Sequence, residues 1–396
     1  MHRFPYWRLS AYYFAYFVFI GVFLPYFGLY LQSLSFSAWD IGLLMSQMQL
    51  MRVFGPYLWG TLADRTGQRL RIIRLTGVMT LIVFSFFFFI HRFEAYLIAI
   101  AALAFFWAAA LPLVEALTFD HLREHSSRYS RVRMWGSIGY IAAALGTGIL
   151  LDYLPLSSLQ WLCMLTLVSI PCCAFLLPEM PLRHAEHEPP PVLNILRQAS
   201  VAALFAACFA MSVAHGALNI FYPILLTDHG YSKSTVGSLL SLGVLSEIAA
   251  FFFMSWVLRH CRLRRILLLS FTIAVVRFPM IGWGVAFPVV LVLAQLLHGL
   301  TFGSFHAAAI TAVNRWFPGR ARSRGQALYA SLTFGAGGLL GGLLSGWTWD
   351  HLGGELTFAL SSVYALVGLI LVAGWVREKD LGEPTVVRVV DRSAVN

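Results

Sequence analysis

The sequence predicts an all-α membrane protein with twelve transmembrane helices in two six-helix halves. Hydrophobic residues make up 59% of the 396-residue chain and charged residues only 12%, about half the charged fraction of soluble globular domains, and the mean hydropathy is +0.74. Apolar runs of about 20 residues recur along the chain, and each can cross ~30 Å of hydrocarbon as a helix. A polar interruption between positions 178 and 197 divides these runs six plus six.

The predicted spans and domains follow from the positions of the apolar runs. The runs lie near 9–31, 40–62, 71–90, 96–118, 132–151, 160–177, 200–225, 236–258, 265–285, 289–313, 327–347 and 356–376. We expect an N-terminal half over 1–177, a linker over 178–197, a C-terminal half over 198–376 and a tail over 377–396.

The distribution of basic residues predicts how the chain lies in the membrane. With a cytosolic N-terminus, the cytosolic segments and the helix ends next to them hold 24 of the 28 Lys and Arg residues, whereas the opposite loops hold only Arg92 and Lys233. Because Lys and Arg concentrate on the cytosolic side of membrane proteins, we expect both termini, the linker and the tail to be cytosolic, in the plasma (inner) membrane. The basic residues lie in short loops between apolar runs, so they do not indicate nucleic-acid binding.

Several classes of function lack their sequence signals. ATP-driven transport needs a phosphate-binding Gly-Lys-Ser/Thr loop, and neither of the two lysines follows a glycine. The chain has no His-Glu-x-x-His helix and no Gly-x-Ser-x-Gly elbow, so we expect no enzymatic activity. Its five cysteines lack metal-ligand spacing, and we expect no metal, no cofactor and no obligate protein partner. A secondary transporter of a small molecule is favoured, and a membrane sensor without transport is the remoter alternative.

A hairpin from Pro112 to Tyr140 places ionisable residues inside the membrane-spanning runs. Glu115 lies within the end of span 4 and Arg133 within the start of span 5, so an antiparallel hairpin can bring them face to face. An ionisable residue inside a span is costly and is usually paired or lines a wet cavity. The hairpin is therefore a candidate site, although the two side chains could instead reach water and form a structural bridge.

Further ionisable residues lie well inside predicted spans and are not expected to face lipid. They are Arg52 in span 2, Glu247 in span 8, Arg277 in span 9, and His298 and His306 in span 10. Glu247 and Arg277 fall near the middle of adjacent antiparallel spans, so we expect them to pair. Burial favours the neutral form of a carboxylate and a nearby arginine opposes this, which makes Glu247 a candidate proton carrier.

The segment between spans 2 and 3, Gly-Thr-Leu-Ala-Asp-Arg-Thr-Gly-Gln-Arg at 60–69, resembles the loop signature of the major facilitator superfamily. A tight glycine turn lets an Asp at the helix end meet arginine donors, which can stabilise one conformation of the half. The predicted conformational latch comprises Gly60, Asp64, Arg65, Gly67 and Arg69. The resemblance implies alternating access, in which two halves rock about a midplane site.

The hairpin itself resembles the helix 4 and helix 5 hairpin of the lactose-permease-type proton symporters. The shared pattern is an acid, an arginine 18 residues later, two glycines and an aromatic residue. By that resemblance Glu115 and Arg133 hold substrate and Tyr140 stacks on it. Arg277 and His298 resemble the proton-coupling cluster of the same family. Thr301, however, stands where that family has its proton-carrying carboxylate, so the coupling mechanism cannot be transferred intact.

A closer resemblance, over nearly the whole chain, is to the phenylpropionate permease branch of the superfamily. Its marks are Gly42-Leu43-Leu44 with Arg52, Val132-Arg133-Met134-Trp135-Gly136-Ser137, Ser241-Leu242-Gly243-Val244 with Glu247, Arg277, and Leu297-His298 with His306. One departure is Glu115, where the branch leads us to expect Asp. The resemblance implies a proton-coupled symporter that imports a small organic substrate, with 3-phenylpropionate as the type of aromatic monocarboxylate expected. Sugar or nucleoside symport is the alternative.

The balance of deep charges favours an anionic substrate. Three arginines within the spans oppose two acids, and an unbalanced buried positive charge is costly unless a ligand compensates it. A carboxylate would compensate the excess and a neutral sugar would not. The candidate substrate-binding residues are Glu115, Arg133, Tyr140, Arg52, His215 and Trp107, and the candidate proton-coupling residues are Glu247, Arg277, His298 and His306.

Overall fold

The computed structural model describes residues 4–122, 128–179 and 193–381, and twelve long helices occupy most of them. They are α1 Tyr6–Ser33, α2 Ala38–Thr66, α3 Arg69–Phe88, α4 Phe93–Leu122, α5 Tyr129–Tyr153, α6 Ser158–Leu176, α7 Ala199–Asp228, α8 Lys233–His260, α9 Leu263–Trp283, α10 Pro288–Trp316, α11 Arg322–Leu352 and α12 Gly354–Trp375. Most of the predicted linker, 180–192, and most of the predicted tail, 382–396, lie outside the described residues.

Eleven of the twelve helices are long and apolar enough to cross a membrane by length and composition. The exception is α2, which is 29 residues long but carries Asp40, Arg52, Asp64 and Arg65. Its length matches that of its neighbours, and it packs between α4 and α11. The prediction of an all-α membrane protein with two six-helix halves is therefore confirmed.

The two halves meet mainly through three helix pairs, namely α1 with α7, α2 with α11 and α5 with α8. We call the side of the bundle that carries the start of α1 and the end of α12 the terminal face, and the opposite side the distal face. Beside the contact of α5 with α8, the Tyr26 hydroxyl of α1 lies 2.6 Å from the carbonyl oxygen of Ala144 on α5 and 3.3 Å from that of Lys233 on α8. A Cβ atom added at Gly148 or Gly237 would lie 2.4 Å from a backbone oxygen of the other half. Only glycine lets these helices approach so closely.

An aspartate at the distal end of α5 caps the first turn of α8. The two carboxylate oxygens of Asp152 accept hydrogen bonds from the backbone N–H groups of Lys233 at 2.7 Å and Ser234 at 3.1 Å. The first N–H groups of a helix have no partner within the helix, and a negative charge there is favourable. One half therefore supplies part of the helix cap of the other half, in addition to Ser232, whose hydroxyl accepts from the Thr235 N–H.

The same arrangement recurs between α11 and α2. Asp350 accepts from the backbone N–H groups of Ala38 at 3.0 Å and Trp39 at 2.8 Å. The donor helix belongs to the N-terminal half and the carboxylate to the C-terminal half, which is the reverse of the first case. We call Asp152 and Asp350 with their bound helix termini the two aspartate clamps, and both join the two halves at the distal face.

Replacing both clamp residues by alanine should shift the protein towards a conformation open at the distal face. Each lost cap costs roughly 0.5–2 kcal/mol, so we expect the double variant to change the open-to-closed ratio by about tenfold or more. Spin labels at Leu154 and Leu352, which are exposed at the distal ends of α5 and α11, would report the change as a longer interspin distance.

The matched control is Asp40→Ala. Asp40 lies at the same distal face, but its carboxylate bonds Ser37 within its own half. This variant should leave the interspin distance unchanged. An unchanged distance in the double clamp variant would contradict the role that we assign to the clamps.

Candidate functional site

A cavity of about 240 Å³ lies between the two halves and is lined by residues of α1, α2, α5, α7, α8, α10 and α11. Its volume is slightly below the range usual for small-molecule pockets. Its polar lining includes Gln49, Arg52, Ser212, Asn219, Gln295 and His298, and its aromatic lining includes Tyr140, Phe302 and Phe334. A small organic molecule could therefore meet charge, amide groups and aromatic faces in one place.

Arg52 gives the cavity its charge. It is exposed to the cavity space, and its Nη1 donates to Oε1 of Gln49 at 3.2 Å. Among the described residues that line the cavity, Arg52 is the sole Lys, Arg, Asp or Glu. An anion entering the cavity would therefore meet an arginine without a carboxylate partner.

Glu115 and Arg133 lie near Arg52 but do not form an ion pair with each other in the part of the chain that the structure describes. Glu115 accepts a hydrogen bond from the Tyr129 hydroxyl at 2.8 Å. The guanidinium carbon of Arg133 lies 4.0 Å from the ring centre of Phe17, a favourable cation–π geometry. The expectation that the hairpin brings the two charges directly face to face is thus not met in this conformation.

The three charges converge instead on Tyr16 of α1. Arg52, Glu115 and Arg133 all lie close enough to interact electrostatically with its hydroxyl. Together they carry a formal net charge of one positive unit. We call this group of Arg52, Glu115 and Arg133 around Tyr16 the N-half charge cluster. One bound carboxylate would neutralise its net positive charge.

Glu247 on α8 faces His298, with Oε2 4.0 Å from the histidine Nε2. Arg133 is the arginine that acts electrostatically on Glu247, across the interface between the halves. Glu247 therefore stands between the N-half charge cluster and a histidine that lines the cavity. Neither His298 nor Arg133 is the predicted partner of Glu247, which was Arg277.

The predicted pairing of Glu247 with Arg277 is wrong. Arg277 is fully buried, and its Nε and Nη1 donate to the carbonyl of Ala294 at 2.6 Å and to the Thr301 hydroxyl at 3.2 Å. The helices α8 and α9 each pack on α10, and so their midpoints reach different sides of that helix. The prediction was wrong because it assumed that α8 and α9, which follow each other in the sequence, face each other in the structure.

The middle of α10 carries a column of stacked rings. The ring of Phe302 lies between those of His298 and His306, with centroids 5.6 and 6.2 Å away and interplanar angles of 14° and 12°. Nδ1 of His306 lies 2.9 Å from the Tyr329 hydroxyl of α11. A π-helical segment from Gly299 to Ser304 changes the register of α10 here, and such segments are frequent at functional sites.

The other predicted substrate contacts fall into two groups. Tyr140 lines the cavity. His215 and Trp107 do not line the cavity. His215 is buried, with its Nδ1 2.8 Å from the carbonyl oxygen of Met211. Trp107 stacks on Tyr16, with the two ring centres 4.3 Å apart. His215 is nevertheless one layer behind the cavity, because its ring centre is 6.0 Å from that of His298.

The predicted latch has one ion pair, but with a different acid. Gly67 adopts a positive φ of 69° at the end of α2, a conformation that favours glycine. Arg69 forms an ion pair with Asp120 of α4, whereas Asp64 is exposed and has no ion pair among the described residues. Gly60 has open space around its Cα, and Arg65 is exposed. The contact of Asp64 with arginine donors that defines the predicted latch therefore stays a prediction, for a conformation other than this one.

The cavity amides and two of the aromatic residues that line the cavity were not among the predicted site residues. Gln49, Asn219 and Gln295 carry no charge and so give no signal of intramembrane cost. Phe302 and Phe334 lie in the two π-helical segments, Gly299–Ser304 and Ser331–Gly337. The paired glycines within each segment were the available signal.

The fold and the central cavity define a transporter of the major facilitator superfamily. The chain belongs to the MFS_1 like family, whose model matches residues 6–360. It is 27% identical over 365 residues to a probable 3-phenylpropionic acid transporter of Escherichia coli (strain K12), covering 90% of this chain and 94% of that protein. It is 24% identical over 378 residues to the maltose permease of Geobacillus stearothermophilus, covering 94% of this chain and 95% of that protein.

A solved structure has the same fold. The crystal structure of a mutant of the nucleoside transporter NupG superposes with a TM-score of 0.83 at 19% identity, covering 93% of this chain and 98% of that chain. The family and these relatives are transporters, in agreement with the expectation of a protein that is not an enzyme. The predicted resemblance to the major facilitator superfamily is confirmed.

Proposed function

We propose that the protein is a proton-coupled symporter that imports an aromatic monocarboxylate of the 3-phenylpropionate type by alternating access. The observation that carries this proposal is the unpaired Arg52 in a cavity that also presents aromatic faces. Arg52 and Arg133 would bind the carboxylate, and Tyr140 and Phe302 would contact the ring. The name of the relative from Escherichia coli agrees with this substrate class.

The position of Glu247 supports the proposed coupling to protons. Glu247 lies beside His298 and interacts with Arg133 across the interface, so a substrate carboxylate at Arg133 would offset part of the positive charge near Glu247. Substrate binding would then favour protonation of Glu247. By linkage, protonation of Glu247 would strengthen substrate binding by the same factor. His298 is the neighbouring group that could receive or deliver the proton.

The direction of transport depends on orientation. The positive-inside distribution of Lys and Arg supports a cytosolic terminal face in the plasma (inner) membrane. The distal face, which the two aspartate clamps close, would then be the outer side. The conformation described here would then be one in which the outer side has closed after substrate has entered the central cavity.

A nucleoside or a sugar is the second candidate substrate. The three amide side chains of the cavity, Gln49, Asn219 and Gln295, suit a ligand with several hydroxyl groups, because amides both donate and accept hydrogen bonds. The maltose permease among the relatives and the fold of NupG agree with this alternative. It leaves the charge of Arg52 uncompensated.

A thermal-shift titration of the purified protein should separate the two substrates. A ligand that binds only the folded protein stabilises it by about 2.7 kcal/mol at 100 times its Kd, so 3-phenylpropionate or cinnamate at millimolar levels should raise the Tm by several degrees. Arg52→Gln should remove most of this rise. Arg71→Gln should keep it, because Arg71 is an exposed arginine that bonds Gln68 outside the cavity.

Stabilisation by a disaccharide or a nucleoside, with none by the aromatic carboxylates, would reverse the order of the two candidates. Counterflow of labelled aromatic acids, sugars and nucleosides in proteoliposomes tests transport itself. Failure of every substrate in both assays would favour a membrane sensor.

A further inference from the structure

A second cavity is an apolar groove on the outside of the C-terminal half, between α8, α9 and α10. It has a volume of about 580 Å³, which is within the range of small-molecule pockets. Its walls include the exposed side chains of Phe253, Leu269 and Leu296. Exposed apolar walls on a membrane-spanning helix face lipid, so the occupant of this groove comes from the bilayer.

The end of the groove at the terminal face is basic. Arg265 of α9 lines the groove and is exposed, and Arg262 is exposed three residues earlier. Neither side chain has a hydrogen bond or an ion pair with any residue that the structure describes. Arg264, between them, is already used, because it donates to the carbonyls of Val376 and Ala373 at 2.8 Å. The groove mouth thus presents the guanidinium group of Arg265 without a protein partner, and the exposed Arg262 lies one helical turn earlier in the chain.

We propose that the groove binds an anionic phospholipid, with an acyl chain between the three helices and the phosphate headgroup on Arg262 and Arg265. Basic pockets between membrane helices on the cytosolic side are typical sites for anionic headgroups. Arginine also suits phosphate because its planar fork can donate two hydrogen bonds to one group. Charge complementarity therefore selects an anionic lipid over a zwitterionic one.

A comparable groove in the N-terminal half lacks this selectivity. It lies between α1, α5 and α6, has a volume of about 540 Å³, and its described lining residues include no Lys, Arg, Asp or Glu. Acyl chains of any lipid can fill it. The difference between the grooves is the pair of arginines, not the size of the space.

The lipid would lie directly behind the proton-coupling residues. Ser246 and Gly299 form part of the groove wall, and the Ser246 hydroxyl accepts from the Gly299 N–H at 2.9 Å and donates to the Gln295 carbonyl at 3.0 Å. Ser246 precedes Glu247 and Gly299 follows His298. An acyl chain in the groove thus supports the contact between α8 and α10 that holds Glu247 beside His298.

Native mass spectrometry of the purified full-length protein in a neutral detergent tests this proposal. Phosphatidylglycerol should bind more tightly than phosphatidylcholine with the same acyl chains. Each basic residue near an anionic lipid surface contributes roughly 1 kcal/mol, so the double variant Arg262→Gln with Arg265→Gln should bind phosphatidylglycerol about 30-fold more weakly. Arg71→Gln, an exposed arginine elsewhere on the terminal face, should bind it as the unmodified protein does.

Two further measurements separate the contribution of the acyl chain to lipid binding from that of the headgroup. Ala249→Trp, or Leu300→Trp from the other wall, fills the groove and should weaken binding of both lipids, with the Tm of each variant showing that it is folded. Equal binding of the two lipids, or an undiminished affinity in the double arginine variant, would overturn the proposal. So would binding of glycerol phosphate as tight as that of the intact lipid. The readout is lipid binding, so the result is independent of the proposed symport.

Discussion

Glu247→Gln should abolish substrate accumulation driven by a proton gradient while preserving exchange of internal for external substrate. Glutamine keeps the size and hydrogen-bonding capacity of the protonated carboxylate but cannot release a proton. The variant therefore resembles a carrier that stays loaded with its proton, which can change conformation with substrate but gains nothing from the gradient. Proteoliposomes with an imposed pH difference measure accumulation, and equilibrium exchange in the same vesicles measures the second activity.

The control for this variant is Glu355→Gln. Glu355 is an exposed acid of α12 in the same half, with Oε1 3.4 Å from Nε2 of His229, far from the cavity lining. Its loss should leave accumulation intact. If accumulation survives in Glu247→Gln, another group carries the proton, and His298 or His306 is then the next candidate.

Arg133→Lys and Glu115→Gln should each abolish substrate binding while leaving the protein folded, with a loss of affinity of at least about tenfold for Arg133→Lys. Lysine keeps the positive charge but loses the planar fork that can bind a carboxylate through two hydrogen bonds, and a hydrogen bond to a charged group contributes about 1.5–3 kcal/mol. Glu115→Gln removes the carboxylate that accepts a hydrogen bond from the Tyr129 hydroxyl, and so disturbs the arrangement of the side chains in the N-half charge cluster. Binding of labelled substrate to purified, folded variants measures both effects.

Arg131→Lys is the matched control for the arginine. Arg131 is exposed and lies two residues before Arg133 on the same helix, so the same replacement there changes the surface but not the N-half charge cluster. Substrate affinity retained in Arg133→Lys would remove this arginine from the binding site. Arg52 would then be left as the principal carboxylate ligand.

The helices could be predicted because apolar length is a strong signal. Their ends could not, because hydropathy detects only the apolar part of a helix. Span 4 was predicted over 96–118, whereas the helix runs from Phe93 to Leu122. The polar turns at each end continue the helix beyond the apolar run.

The candidate site was predicted where charge gave a signal. Arg52, Tyr140 and His298 line the cavity, and Glu247 lies against His298. The pairing of Glu247 with Arg277 failed because the sequence does not show which face of α10 each neighbour meets. The register change in the π-helical segments also cannot be read from residue spacing, since a regular helical period places the side chains after it on the wrong face.

Helix α2 has a consequence for how the protein is made. It is the long helix whose composition falls short of the level reached by the other eleven, and Arg52 near its middle opposes transfer of the isolated helix into lipid by a few kcal/mol. Its packing partners α4 and α11 are synthesised after it. We therefore expect α2 to remain at the protein-conducting channel until α4 emerges, and to enter the bilayer together with that helix rather than alone.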